Sequence, residues 1–190
     1  MTTLNRDKAV KLLNKYVTSE HIITHSYAVE AVMIALAEIF EPENKNLWAI
    51  AGLLHDLDND FVDWPNEKST HGPKSIELLK KENYGNEILY DAILAHNPAT
   101  GKSRERRIEK AIYAADPITG FIRATTLVYP DQKINKVKVK SIHKRMKDDR
   151  FAAGADRNAM RSIDTLGMDF KEFSKVALEA MCEISDTLDL

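Results

Sequence analysis

The chain has 190 residues, 44% of them hydrophobic, a size and composition sufficient for one buried core without disulfide or metal staples. Lys+Arg 27 against Asp+Glu 29 leaves a formal charge of -2, which excludes both a global basic field for nucleic acid and an acidic solvating tail. The lone cysteine, Cys182, excludes an intramolecular disulfide, and lysines interrupt the opening MTTLNRDKAVKLLNKYV; the sequence thus predicts neither signal peptide nor transmembrane helix, and a reducing, cytoplasmic setting.

In chain order, Val10, Leu13 and Val17 recur at helical spacing, and Ala28, Val32, Ala35 and Ile39 repeat the pattern after Ser19, a residue suited to cap a second helix. Pro42 closes that helix and opens a third over about 43–57, with His55 and Asp56 at its C-terminal end. Residues 58–70, DNDFVDWPNEKST, lack sustained periodicity and read as a loop, after which His71 opens a helix running to Asn83 and Gly85. Ile88 to Ala95 form another helix with His96 at its end, and NPATGKS reads as a plain turn or loop. From Arg104 to about Phe121, Ile108, Ala111, Ile112 and Ala115 mark a helix carrying Asp116, which Pro117 is expected to bend or interrupt. KINKVKVKSIHKRMKDD fits a short alternating strand or a basic amphipathic helix, with helix favoured. Asp156 and Asp169 are expected caps for a helix over 157–166 and a last one through Phe173, Val176, Ala177, Met181 and Ile184. About ten helices and no convincing sheet make the predicted fold an all-α, single-domain bundle.

His25, His55, Asp56, His71, His96 and Asp116 are separated by gaps of 30, 15, 25 and 20 residues on either side of the His55-Asp56 pair. Each gap is long enough for a helix plus a turn, so these donors fall on successive helices and can converge inside a bundle. Imidazole and carboxylate suit divalent manganese, iron, cobalt, zinc or magnesium, whereas soft ions want cysteines that this chain lacks. One ion could take His25, His55, Asp56 and Asp116, with Asp56 bridging to a second held by His71 and His96; such a pair supports phosphoester hydrolysis by a metal-bound hydroxide. Singly, each histidine reads as an ordinary core or surface residue; the ordered series carries the inference. His21 shares a helical face with His25 and competes for the first position. His143 reads as a solvated surface residue, Trp48 and Trp64 as core and loop packing groups, and Cys182 as a small core hydrophobe. Asp58, Asp60 and Asp63 suit a general acid or a third-shell carboxylate, but more commonly plain turn chemistry.

HSYAVEAV, AGLLHDLDND, HGPKSIELL, ILAHN and AIYAADPITGFI together resemble the HD superfamily of metal-dependent phosphohydrolases, in particular its HDIG-like branch of small bacterial and archaeal proteins. The resemblance continues through LVYPDQKINKVKVKSIHKRMKDDRFAAGADR and LGMDFKEFSKVALEAM, and so spans the chain. It implies that His25, His55, Asp56 and Asp116 are the defining ligand set, which favours His25 over His21, and that His71 and His96 are the two histidines added by branches with two metals. It also implies a helical HD-type fold, here a metal-binding core over about 20–125 and a helical extension over about 126–190. Where the HDIG pattern has Ile-Gly, this chain has Leu57-Asp58, and where some nucleotidase branches place a Glu it has Asn59.

The expected function is hydrolysis of a small phosphorylated compound, a nucleotide by preference, with one or two divalent ions and Asp56 central to catalysis. Lys74, Lys102, Arg104 and Arg123 are candidate phosphate-facing cations, each equally readable as a surface charge. The alternatives are a di-iron oxygenase on the same donors, and a non-catalytic nucleotide-binding or scaffold module using Lys136, Lys138, Lys140, Lys144, Arg145 and Lys147. No membrane partner is expected, nucleic acid has no clear signal, and the oligomeric state is left open.

Overall fold

A computed structural model describes residues 4–63 and 66–190. Trp64, read as a loop packing group, lies outside the described residues. Ten α-helices and no strand are found among the described residues: α1 (Arg6–Tyr16), α2 (Glu20–Phe40), α3 (Lys45–Leu54), α4 (Pro73–Lys81), α5 (Glu87–His96), α6 (Arg107–Leu127), α7 (Val139–Arg145), α8 (Arg157–Arg161), α9 (Phe170–Glu183) and α10 (Ser185–Leu188).

Helix ends follow side-chain chemistry. Asn5, Asn86, Asp156 and Asp169 each accept a backbone N–H in the first turn of α1, α5, α8 and α9. At α6 the Glu109 carboxylate reaches back to the backbone N–H of Arg106 at 2.8 Å. Ser19 stands at the cap position of α2 but makes no side-chain cap bond.

The two longest helices organise the bundle. α2 packs against α3, α6 and α9, and α6 against α5 and α8 as well. By length and composition alone α2 could cross a membrane; here the face carrying Ala28, Val29, Val32, Met33 and Leu36 is buried, chiefly against α3, α6 and α9. The buried cluster runs from Ala9 to Leu190, with Trp48, Phe121 and Phe173 its largest fully enclosed side chains. Gly52 sets the α2–α3 spacing: a Cβ there would stand 2.9 Å from backbone atoms of Val29 and Glu30. Glu30, buried beside that contact, is held by Arg6 through two hydrogen bonds of 2.6 and 2.8 Å.

Several boundaries differ from the sequence reading. The third helix ends at Leu54, leaving His55 and Asp56 in the turn beyond it. His71 does not open α4; it precedes Gly72, whose φ of 97° only glycine adopts without strain, and Pro73 starts the helix. Among its described residues the 58–70 segment forms 3-10 turns at Asn59–Phe61 and Lys68–Thr70. Pro117 does not interrupt α6, which runs unbroken to Leu127. The proline borders a cavity and not packed core, so its ring and the missing hydrogen bond are accommodated on an open face of the helix. The basic segment forms a 3-10 turn, Ile134–Lys136, and then α7, and 157–166 divides into α8 and a 3-10 turn.

Candidate metal centre

Five parts of the chain deliver the six donors: α2 (His25), the turn after α3 (His55 and Asp56), the approach to α4 (His71), the last residue of α5 (His96) and the middle of α6 (Asp116). They form two adjoining groups, His25–His55–Asp116 and Asp56–His71–His96, in each of which the ligand atoms lie within 4.8 Å of one another. Asp56 stands between the groups. Its Oδ1 faces Nε2 of His71 at 3.1 Å, of His55 at 3.4 Å and of His96 at 3.6 Å, while Oδ2 faces Nε2 of His25 at 3.7 Å. Asp116 Oδ1 lies 3.1 Å from His25 Nε2 and 3.8 Å from His55 Nε2.

Every imidazole turns the same nitrogen inward. Nδ1 of His55 donates to the Gly52 carbonyl at 2.8 Å, Nδ1 of His96 to the Ile93 carbonyl, and Nδ1 of His71 to Asp58 Oδ1 at 2.7 Å. Thr119 gives its hydroxyl proton to the Asp116 carbonyl at 2.9 Å, so toward His25 Nδ1, at 3.1 Å, it acts as acceptor. With Nδ1–H committed in all four rings, a neutral imidazole presents an Nε2 lone pair to the carboxylates, an arrangement that is repulsive unless a cation or a proton lies between. The Nε2 of His55 is fully buried with no hydrogen-bond partner, and the Nε2 atoms of His71 and His96 confront each other at 2.9 Å. Oriented nitrogens, facing carboxylates and no thiolate fit a borderline divalent metal.

Protons take the cationic role in the metal-free chain. Burial alone would lower the basicity of His55, but the charge of Asp56 and the Asp116 carboxylate outweigh it and raise its pKa to about 9. His71 is raised to about 10: its burial is overcome by hydrogen bonds to Asp56 and Asp58. Burial and the neighbouring His55 charge lower His96 to about 4, keeping it neutral. Asp56 and Asp116 are held well below the usual carboxylate range; burial opposes this, but the surrounding imidazoles prevail.

Two residues outside the expected set hold it in place. Asp58 is completely buried: Oδ1 takes the His71 proton, and Oδ2 accepts backbone N–H groups of Gly72 at 2.7 Å and Ser75 at 2.9 Å. It is therefore an outer-shell carboxylate; with its oxygens committed, neither turn chemistry nor a general-acid role describes it. Asn97, inside the segment read as a plain turn, is buried and donates to the Lys68 and His71 carbonyls at 2.7 and 2.9 Å. Their common signal is an amide or acid one or two residues beyond a donor. Asp60 and Asp63 keep local roles, Asp60 binding Thr18 at 2.6–2.7 Å and Asp63 binding Asn66 at 2.7 Å. His21 is exposed and outside both donor groups.

A cavity of about 590 Å³ opens from the cluster, bordered by His25, Asp56, His71, His96 and Asp116 on its floor and by Asn59, Tyr113, Pro117, Ala152, Gly154, Ala155 and Asp156 above. No Lys or Arg is among its described lining residues. Lys74 pairs with Glu77, Lys102 pairs with Asp91, and Arg104 donates to the Ala95 carbonyl while lying 3.5 Å over the Tyr113 ring. Arg123 lines a second cavity, of about 240 Å³, which shares His25, Asp56 and Gly120 with the first. The structure thus gathers the six donors, leaves three candidate cations in other pairings, and sets Arg123 beside a side chamber.

The family model of the HD domain matches residues 22–119, slightly more than half of the chain and a span that includes all six donors. The chain belongs to the HD domain family, whose members are mostly metal-dependent hydrolases. No curated protein and no solved structure matches it.

Proposed function

We propose that this protein is a metal-dependent phosphohydrolase of a small phosphorylated compound, a nucleotide by preference, acting in a reducing, cytoplasmic setting as a single domain over 1–190. The observation that carries the reading is the shared orientation of four imidazoles, each with Nδ1 anchored and Nε2 directed at Asp56, Asp116 or another Nε2. Divalent ions at such a centre supply Lewis acidity and a water that ionises near neutral pH.

In this reading His25, His55 and Asp116 would hold one ion and His71 and His96 a second, and Asp56, which faces both groups, would contribute to each. The anchored Nδ1 contacts keep the rings from rotating as the centre fills, so geometry is set before substrate arrives. The described lining residues of the cavity include no Lys or Arg, so the phosphoryl charge would be met at the donor floor, while Tyr113, Asn59 and Asn97 border the remainder of the substrate. Four imidazoles favour manganese, iron, cobalt or zinc over magnesium, which prefers oxygen ligands.

The test is phosphate release from a nucleotide panel with Mn²⁺ or Fe²⁺, together with metal content and oxygen uptake. Asp56→Ala is expected to abolish turnover and to reduce bound metal below that of the parent. Turnover by Asp56→Ala equal to the parent would remove the proposal, and oxygen uptake by the iron-loaded protein without phosphate release would replace it with the oxygenase.

A further inference from the structure

The cationic residues of the C-terminal extension do not coat a helix evenly. Lys140, Lys144 and Lys147 follow one another at intervals of four and three residues along α7 and its end, so they share a face. Lys171, in the first turn of α9, stands across from them, and with His143 and Val139 these lysines line a groove of about 430 Å³. None of the four lysine side chains has an ion pair or hydrogen bond among the described residues. His143, expected to be solvated, is half-buried in this groove, its ring 5.2 Å from Phe170 and its Nε2 buried without a partner. In a chain whose net charge is -2, this is a local concentration of unneutralised positive charge at a concave site.

We infer that this groove is a binding site for a compact polyanion carrying two or more phosphates, separate from the metal centre. Two features favour a compact ligand over a nucleic-acid strand. The four lysines border one depression of ligand size, in place of the continuous track a phosphate backbone needs. The track is also broken where it would continue: Asp148 and Asp149 follow Lys147, Arg150 and Arg157 are engaged by them, and Arg145 lies 5.1 Å over the Phe151 ring. Lysine, a mobile point charge, suits phosphate groups that need no fixed bidentate geometry.

The four lysines are exposed, so their removal leaves the core intact. Inorganic tripolyphosphate is titrated calorimetrically into the parent protein, a Lys144→Ala/Lys171→Ala variant and Asp56→Ala at near-physiological salt. The expected result is a binding event that survives Asp56→Ala but weakens by about tenfold or more in the double-lysine variant, as the loss of charge-assisted contacts implies. Phosphate release by the double-lysine variant stays at the parental rate, so the outcome stands apart from success or failure of the hydrolase reading. Equal tripolyphosphate affinity in the parent and double-lysine proteins would overturn the inference. So would capture of a single-stranded oligonucleotide through the same lysines that tripolyphosphate fails to displace.

Discussion

The Asp58 carboxylate accepts three hydrogen bonds, one from His71 and two from the backbone that begins α4, so it fixes both the ring and the turn that presents it. Asp58→Asn removes a charge that makes Nε2 of His71 more basic, and on the proposed metal role of His71 metal affinity is expected to fall by about 10- to 100-fold. Asp63→Asn, in the same loop but exposed, should leave affinity unchanged in the same titration. The titrations of His55, His71 and His96 also set a pH signature for the metal-free chain. His55 and His71 hold protons to about 9 and 10 against an unfolded value of 6.5, so their contribution is complete below pH 6.5 and is lost as pH rises through 9 to 10. His96 stays neutral down to about 4, so the unfolded chain gains protons first and stability also falls between pH 6.5 and 4. Thermal midpoints of chelated protein should therefore peak near pH 6.5, and metal loading should remove the alkaline decline, because metal takes the place of those protons. An alkaline limb unaffected by metal would contradict this assignment of protons.

At the scale of elements, the α2–α3 contact brings His25 and His55 into one group, and Gly52 makes that contact close enough. Gly52→Ala forces a Cβ to within 2.9 Å of backbone on α2, where no flexible side chain can yield. The expected cost is about 2 kcal/mol in urea unfolding, with weaker metal binding because the two histidines part. Full stability in this variant would mean that the helices adjust without strain. Helix periodicity, the capping residues Asp156 and Asp169 and the His96 terminus were all legible in the sequence, because they depend on residues within one or two turns of each other. The interruption expected at Pro117 is absent for the complementary reason: whether a proline interrupts a helix depends on what packs against that face, and here the face borders a cavity. His71 misled because Gly72, not the histidine, supplies the backbone conformation from which α4 starts.

For the whole molecule, the family match ends at residue 119, within α6, whereas the buried cluster continues through Phe173 and Met181 to Leu190. A shared core implies shared unfolding: in denaturant, loss of helical signal and release of bound metal should coincide, and a prior step confined to the last seventy-odd residues would divide the chain instead. The sequence by itself determined the all-helical class and, through its motifs, the HD family, and it singled out six candidate donors, since periodicity and motif order are properties of one dimension. Only the tertiary structure decided that Asp56 stands between two donor groups, that Asp58 and Asn97 secure the ring and backbone of His71, that the candidate cations Lys74 and Lys102 pair with Glu77 and Asp91, and that Arg104 stacks on Tyr113. Those facts rest on distances between helices, and a chain records such distances only after side-chain volumes and buried hydrogen bonds have fixed how its helices pack.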